Sequence, residues 1–418
     1  MEIRDHRGRY LGRGYYNPRS QIVVRRLTRE IEDINEAFFR SRLQAAIVFR
    51  QSPSSCYRLV SSEADFLPGL IVDRYGSTLV LQALTLGIEK RKEMFVKLLV
   101  ELCKPDVILE RSDAPTRKLE GLEQAKGILW QSGKPSAVSH QQSAWLADIE
   151  INGLKFNTDL LGGQKTGFFL DQTENYRIIE QLVSSITHPA SSGQLHVLDC
   201  FCYHGGFALH AARAGAHVIG LDQSVAALAI AKDNAKLNNL ENQCEWVAAN
   251  VFDYLSSATK TKKLAAQASP PEKETTGKSK QAAPSGSVST TQNSQSPVPN
   301  PQSPIATPLT PLPSPFDVII LDPPTFTRTR DAVDSAIRGY KEIHLRSLKL
   351  LRPGGYLATF CCSHHIDRDL FLNIAVNAAT DAHRDLRLVR TLSQSLDHPI
   401  LPAVPETEYL KGFVFQVV

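Results

Sequence analysis

From about residue 161 to its end the chain keeps repeating one arrangement. A short apolar run closes on an acid, an amide or a cysteine, and a stretch with helical spacing follows. The runs are "LHVLDCF", "AHVIGLD", "CEWVAANVF", "FDVIILDPP" and "GGYLATFCCS". Runs this short and this apolar suit strands covered on both faces, as in a parallel sheet. Between them lie "FALHAARAG", closed by Gly215, and "VAALAIAKDNAKLN", which Ser224 can N-cap. "LRLVRTLSQ" and the terminal "LKGFVFQVV" complete the set as an antiparallel pair. The expected fold class is α/β, a seven-stranded, doubly wound, Rossmann-like sheet. Ligands of such a sheet sit at the carboxyl ends of its strands.

The first 160 residues read differently. "QIVVRRL" and the short turns "DHRGRY" and "YYNPRS" predict small strands with loops. Residues 28–50 have helical spacing, with Ile31, Ile34, Phe38, Leu43 and Ile47 on one face. "YRLVSS", "LPGLIVDRYGSTLVLQAL", "VILERS" and "LKFNTDLL" are strand-like, and "DRYGS" predicts a hairpin turn. The expected division is a partial β-rich segment at 1–30, a helical connector with an α+β middle domain at 31–160, and the sheet domain at 161–418. Residues 256–315 interrupt the last of these. From Gln281 to Phe316 there is no charged residue and an excess of Ser, Thr, Pro and Gln. Such a stretch buries too little apolar surface to offset its ordering entropy, so a disordered insertion on a surface connection is expected.

Charge narrows the partners. Of the overall +4, residues 256–315 account for all: six lysines stand there against Glu272 and Glu274, leaving 41 basic and 41 acidic residues elsewhere. Residues 1–29 are the exception, with eight arginines against Glu2 and Asp5 and with Tyr10, Tyr15 and Tyr16 among them. Arginine interleaved with aromatics suits phosphate contacts and base stacking, which makes Arg13, Arg25 and Arg26 candidates for binding RNA. The other reading is a solvated, strand-rich surface. No apolar run reaches the roughly eighteen residues of a spanning helix, so no membrane partner is expected. "MEIRDHRGRY" lacks the apolar core of a secretory signal. Seven cysteines without a CxxC pair suit a cytosolic protein with reduced thiols.

The strand ends carry the candidate chemistry. Asp199 ends the first run and Gly205-Gly206 follow at the turn into the helix, where glycine lets a ligand approach the backbone. The GxGxxG of a dinucleotide site is absent. An acid at that position suits a cationic amine, Asp222 on the next strand suits ribose hydroxyls, and Asn250 on the third suits an adenine edge. Amine, ribose and adenine in series describe S-adenosylmethionine (SAM). The alternative makes all three the caps and turn residues of a generic α/β fold. "DPPTF" then closes the fourth strand with a stiff loop bearing Asp322.

"TFCCSHH", Thr359 to His365, admits a metal site, a buried strand end or a thiol nucleophile. Four zinc ligands would be crowded into five residues, and strand alternation points neighbours to opposite faces, so no metal is expected. The same alternation lets one cysteine pack inward while the other faces the "DPPTF" loop.

Taken together these motifs resemble the bacterial 23S rRNA cytosine-C5 methyltransferase family. The resemblance rests on "SSEADFLPGLIVDRYG", "ERSDAPTRKLEGL", "KTGFFLDQ", "VLDCFCYHGGF", "DPPTF", "DHP" and "PETEYLKGF". It implies a class I SAM methyltransferase domain preceded by a middle domain and an RNA-binding PUA-like region, the last present only in part. It implies that Phe169, Asp171, Gln172, Asp199, Asp222 and Asn250 line the SAM pocket, with Phe201, Tyr203, Gly205, Gly206 and Asp322 beside them. Cys362 aligns with the nucleophile and Asp322 with the acid of the catalytic loop. The implied partner is 23S rRNA in the cytoplasm, with the oligomeric state open and a homodimer as one arrangement. Thr173 stands where the family commonly has arginine, Asn250 where it has aspartate, and His364 and His365 where it has smaller residues. Two alternatives stay open: methylation of a base amino group or another RNA position, and a non-catalytic RNA-binding protein that keeps the SAM fold.

Overall fold

The computed structural model describes residues 1–50, 54–133, 145–187, 193–268, 315–327 and 329–418. It opens with β1 (Glu2–Arg4), β2 (Tyr10–Tyr16) and β3 (Val24–Thr28), an antiparallel sheet in that order. Tyr15 and Leu27 turn inward and join the core beneath the next sheet. In α1 (Glu36–Phe49) the Asn35 side chain takes the N-cap, accepting from the Phe38 N–H at 3.1 Å. That cap starts the helix later than the spacing predicts. Ile31 therefore lies ahead of it, 77% exposed, and is not part of the buried face. Phe38, Phe39, Leu43 and Ala46 form that face, with Ile34 and Ile47 at its margin.

Five strands follow side by side in chain order: β4 (Cys56–Ser61), β5 (Leu70–Tyr75), β6 (Thr78–Ala83), β7 (Val107–Ser112) and β8 (Ala125–Gln131). The expected hairpin stands at "DRYGS", where Tyr75 pairs with Thr78. Helices α2 (Leu86–Glu89) and α3 (Lys92–Cys103) carry the chain from β6 to a parallel β7. A separate ribbon pairs β9 (Leu146–Ile151) with β10 (Leu154–Asp159). Its Asn152-Gly153 turn has φ of 52° and 80°, as the tight hairpin turn between twisted strands requires.

The remaining elements are α4 (Thr173–Ser185), β11 (His196–Cys200), α5 (Gly206–Arg213), β12 (His217–Asp222), α6 (Val225–Leu237), β13 (Cys244–Ala248), α7 (Val251–Ala268), β14 (Phe316–Leu321), α8 (Val333–Leu350), β15 (Leu351–Cys361), α9 (Arg368–Asp381), β16 (Leu386–Ser393) and β17 (Lys411–Val417). They build the expected seven-stranded sheet, in the order β13-β12-β11-β14-β15-β17-β16. Its first five strands are parallel, and β17 runs antiparallel to both neighbours. Val197, Val218, Val318 and Ile320 pack on the side of α4 and α5, whereas Leu198, Ile219, Ile319 and Leu321 pack on the side of α7, α8 and α9. Each such side chain contributes about 1.5–3 kcal/mol on leaving water. A slip of one residue in β11 would also carry Asp199 to the opposite helical layer.

The β9–β10 ribbon docks on α6, where the Asn234 and Asn238 side-chain oxygens accept the Asn157 and Lys155 N–H groups at 2.7 and 2.9 Å. One expectation is corrected here. Residues 256–268 do not belong to a structureless insertion, because α7 continues to Ala268 with Tyr254, Leu255 and Ala258 buried at helical spacing. The rest of that segment, 269–314, lies outside the described residues. Among the described residues no helix is long and apolar enough to cross a membrane.

Candidate active site

Strand order reverses between β11 and β14, and Asp199, Asp222, Asp322 and Asp171 lie close enough around that point to act on one another's charge. Asp199, next to last in β11, is 1% exposed, and neither of its oxygens has a hydrogen-bond partner among the described residues. Burial pushes its carboxyl well above the usual carboxylate range, and Asp322 and Asp222 add to this. The Ala208 N–H works the other way from outside hydrogen-bond geometry. Buried polar groups are almost always paired in folded proteins, so an acid left this way is set for a donor from outside.

The loop after β11 is held against strain. Phe201 and Tyr203 have φ of 65° and 48°, conformations that cost of order 1–3 kcal/mol each for bulky residues. Compensation comes from β12. The Leu221 carbonyl accepts the Phe201 and Cys202 N–H groups at 2.8 and 3.1 Å, and the Asp222 carboxylate accepts the Tyr203 N–H at 3.1 Å. Tyr203 then meets Phe169 edge-on, ring centroids 5.2 Å apart. The two glycines serve the protein's own rings. A Cβ at Gly206 would stand 2.6 Å from the Tyr176 ring and one at Gly205 2.9 Å from Trp246, so neither requires a ligand's approach to explain it. Asn250 lies past the end of β13, exposed, with its carbonyl oxygen accepting the Phe252 N–H at 2.9 Å as the cap of α7. That leaves the amide NH2 to face a ligand.

Two carboxyls on the other wall are pushed apart. For Asp171 burial alone would raise the pKa, but the Lys165 ammonium, His398 and the Tyr409 hydroxyl hold it well below the usual range. Lys165 pairs with it directly, and Tyr409 donates to it at 2.8 Å. Asp322 is pushed up to about 7 by burial and by the negative Asp171, with Lys165 and the Gln172 hydrogen bond opposing. Gln172 donates to it at 3.0 Å. An ionised acid beside one poised near neutrality is the usual mark of divided acid–base roles.

The cysteine pair divides as alternation predicts. Cys361 is fully buried in the core with Leu357, Ile366 and Phe371. Cys362 is partly exposed, its Sγ 3.1 Å from the Thr325 hydroxyl and 3.9 Å from the Pro323 carbonyl. Burial pushes its thiol up, the Thr325 hydrogen bond pulls it down, and Asp322 pushes it up again. His364 and His365 face solvent. No three His, Cys, Asp or Glu side chains are grouped to hold a metal among the described residues.

Among the described residues, two of the three candidate arginines make ion pairs within the molecule. Arg25 is turned inward and pairs at 2.9 Å with Glu120, which is 5% exposed. Arg13 donates to the Glu32 carbonyl at 2.6 Å and to Asp33 at 3.1 Å. Both are engaged within the molecule, Arg25 with the segment between β7 and β8 and Arg13 with the segment that follows β3. Arg26 is exposed, as are Arg7, Arg19 and Arg29. Sequence reasoning did not single out Lys165, Tyr409 or the Thr325 hydroxyl. They lie in "KTGFFLDQ", "PETEYLKGF" and "DPPTF", far apart in the chain, and their convergence depends on packing.

A sheet of this order, with an unpaired acid at its switch point and a second acid closing β12, is the arrangement of a class I SAM-dependent methyltransferase. Solved structures agree on the fold. A SAM-dependent methyltransferase from Streptococcus mutans superposes with a TM-score of 0.70 at 17% identity, over 100% of this chain and 90% of that one. A methyltransferase complexed with SAH gives the same values. Residues 191–267 match the family described as methyltransferase domain, and residues 1–29 the PUA-like domain. The ribosomal RNA large subunit methyltransferase I of Photobacterium profundum is 35% identical over all of this chain and 90% of its own length. That of Shewanella frigidimarina is 36% identical over the same shares. The chain belongs to the ribosomal RNA large subunit methyltransferase I family.

Proposed function

We propose that this enzyme transfers a methyl group from SAM to C5 of a cytosine in 23S rRNA, with Cys362 as the nucleophile. The observation that carries this reading is the partly exposed Cys362 thiol against the Asp-Pro-Pro loop, while its neighbour Cys361 is sealed in the core. The RNA substrate is supported by the PUA-like match at 1–29 and by the names of the relatives. A ribosomal target sets the place of action in the cytoplasm. In this reading residues 1–30 contact RNA, 31–160 form a middle domain and 161–418 carry the catalysis.

The residues present fit SAM. The unpartnered Asp199 carboxylate suits its cationic amine, Asp222 its ribose, the Asn250 NH2 its adenine, and the Phe169–Tyr203 pair a wall of the pocket. Phe201, Gly205, Gly206, Asp171 and Gln172 complete the lining. When bound, SAM supplies an electrophilic methyl group.

Cytosine C5 is a poor nucleophile, which gives the thiol its task. The Cys362 thiolate adds to C6, and the C5–C6 π pair becomes available at C5. Asp322, with its proton, hydrogen-bonds the ring nitrogen N3 as charge reaches it. C5 takes the methyl group as its bond to the donor sulfur breaks; the C5 proton then passes to solvent water, and the C–H pair re-forms the C5–C6 double bond and expels Cys362 as thiolate. Cys362→Ala is expected to abolish methyl transfer while SAM and RNA still bind, and Cys361→Ala to keep substantial activity. On RNA carrying 5-fluorocytosine, whose fluorine blocks elimination, the parent and Cys361→Ala should form an adduct stable to denaturing gels. Full activity in Cys362→Ala would overturn the C5 mechanism in favour of amino-group methylation.

A further inference from the structure

The loop after β14 is anchored at both ends. Gln172 holds Asp322, and Phe326 packs on Tyr340 of α8 with ring centroids 4.5 Å apart. Between these anchors Thr325 is fixed with its hydroxyl 3.1 Å from the Cys362 Sγ, while the Pro323 carbonyl lies 3.9 Å from the same sulfur. The two contacts are not equivalent. A thiol can donate its S–H to the carbonyl, but a thiolate has no hydrogen and can only accept. Of the two neighbours only the hydroxyl can donate, and a hydrogen bond to an ionised acceptor is about twice as strong as a neutral one.

We infer that Thr325 is the hydrogen-bond donor that activates Cys362, stabilising the sulfur in its ionised, attacking form. This rests on the reading of Cys362 as the nucleophile. Ionisation releases the thiol proton to solvent through the exposed side of Cys362, and the pair left on sulfur is the one that attacks. The charged and titratable groups facing this sulfur come from several elements. Asp322 from the same loop opposes ionisation, as does Cys361, whereas Lys165 favours it. Lys411 on β17 and Tyr340 on α8 also feel the Cys362 charge. None of these gives it the short, directed contact that the hydroxyl does.

The test is the pH dependence of Cys362 alkylation by iodoacetamide in the full chain without RNA, with the Cys362 peptide followed by mass spectrometry. Thiolate displaces iodide, so the rate reports its ionised fraction. Thr325→Val, which keeps the shape and removes the hydroxyl, should move the half-maximal rate up by about one pH unit. Thr325→Ala should do the same, which covers a folding failure of the first variant, and Thr325→Ser should match the parent. SAM binding should be unchanged in all three. Equal midpoints in the parent and in the Val and Ala variants would overturn the inference, and so would an equal shift in Thr325→Ser, which would assign the effect to methyl packing. Active Cys362→Ala enzyme would instead defeat the nucleophile reading, and these midpoints do not depend on turnover.

Discussion

Asp199 and Asp171 are both almost sealed from solvent at one edge of one sheet, yet their surroundings push them in opposite directions. Asp171 has an ammonium and a phenol, whereas neither Asp199 oxygen has a hydrogen-bond partner among the described residues. The sign of the stability effect follows. Because the Asp199 pKa is raised on folding, the unfolded chain gains by ionising once the pH passes the ordinary carboxyl value of about 4, and the cofactor-free fold is penalised above it. Asp199→Asn is therefore expected to raise the thermal midpoint of the cofactor-free protein at pH 8 and to weaken SAM binding about tenfold or more. Calorimetric unfolding and titration check the two halves, and an unchanged dissociation constant would move the amine elsewhere. Asp322 gives a second prediction. Its acid form is the useful one, so single-turnover methyl transfer should lose this contribution as pH rises through about 7. Gln172→Met removes the hydrogen bond that lowers the Asp322 pKa, so the descending limb should shift to higher pH. A limb that stays in place would remove Asp322 from the proton bookkeeping.

Helix α7 runs to Ala268, into the segment that composition marks as an insertion. Its start is set by the Asn250 cap, and its length by Tyr254, Leu255 and Ala258 meeting the sheet at intervals that only a helix supplies. Replacing an N-cap of this kind by alanine costs about 1 kcal/mol, so Asn250→Ala should show that loss in urea unfolding. Asn250→Asp keeps the capping oxygen. It should keep stability but weaken SAM binding several-fold, because a carboxylate cannot donate to the adenine as the NH2 does. An unchanged SAM affinity would remove the NH2 from adenine recognition. Strand β15 shows the reverse case. Its period of two separated Cys361 from Cys362 in the sequence pattern alone, and the structure keeps that division.

At the scale of the whole molecule, Arg25 and Glu120 tie the N-terminal sheet to the five-stranded one, with Asn17 also donating to Glu120 at 3.0 Å. Without Arg25, Glu120 keeps its Asn17, Ser20 and Leu86 donors, so the loss is that of one charge-assisted hydrogen bond, about 1.5–3 kcal/mol. Arg25→Ala should therefore lower stability by a large part of this, whereas Arg26→Glu should leave stability unchanged and weaken RNA binding with a shallower salt dependence. Equal stability of the two variants by chemical denaturation would place Arg25 among the surface arginines after all. The sequence by itself determined the α/β class, the seven strands, the hairpin at "DRYGS" and the inequivalence of the two cysteines. Each of these is a local pattern, a matter of which face an apolar side chain must take. Only the tertiary structure decided the direction of Arg25, the carboxyl that Lys165 neutralises and the hydroxyl that meets Cys362. Those partners lie far apart in the chain, and their meeting depends on how whole elements pack, which no local spacing encodes.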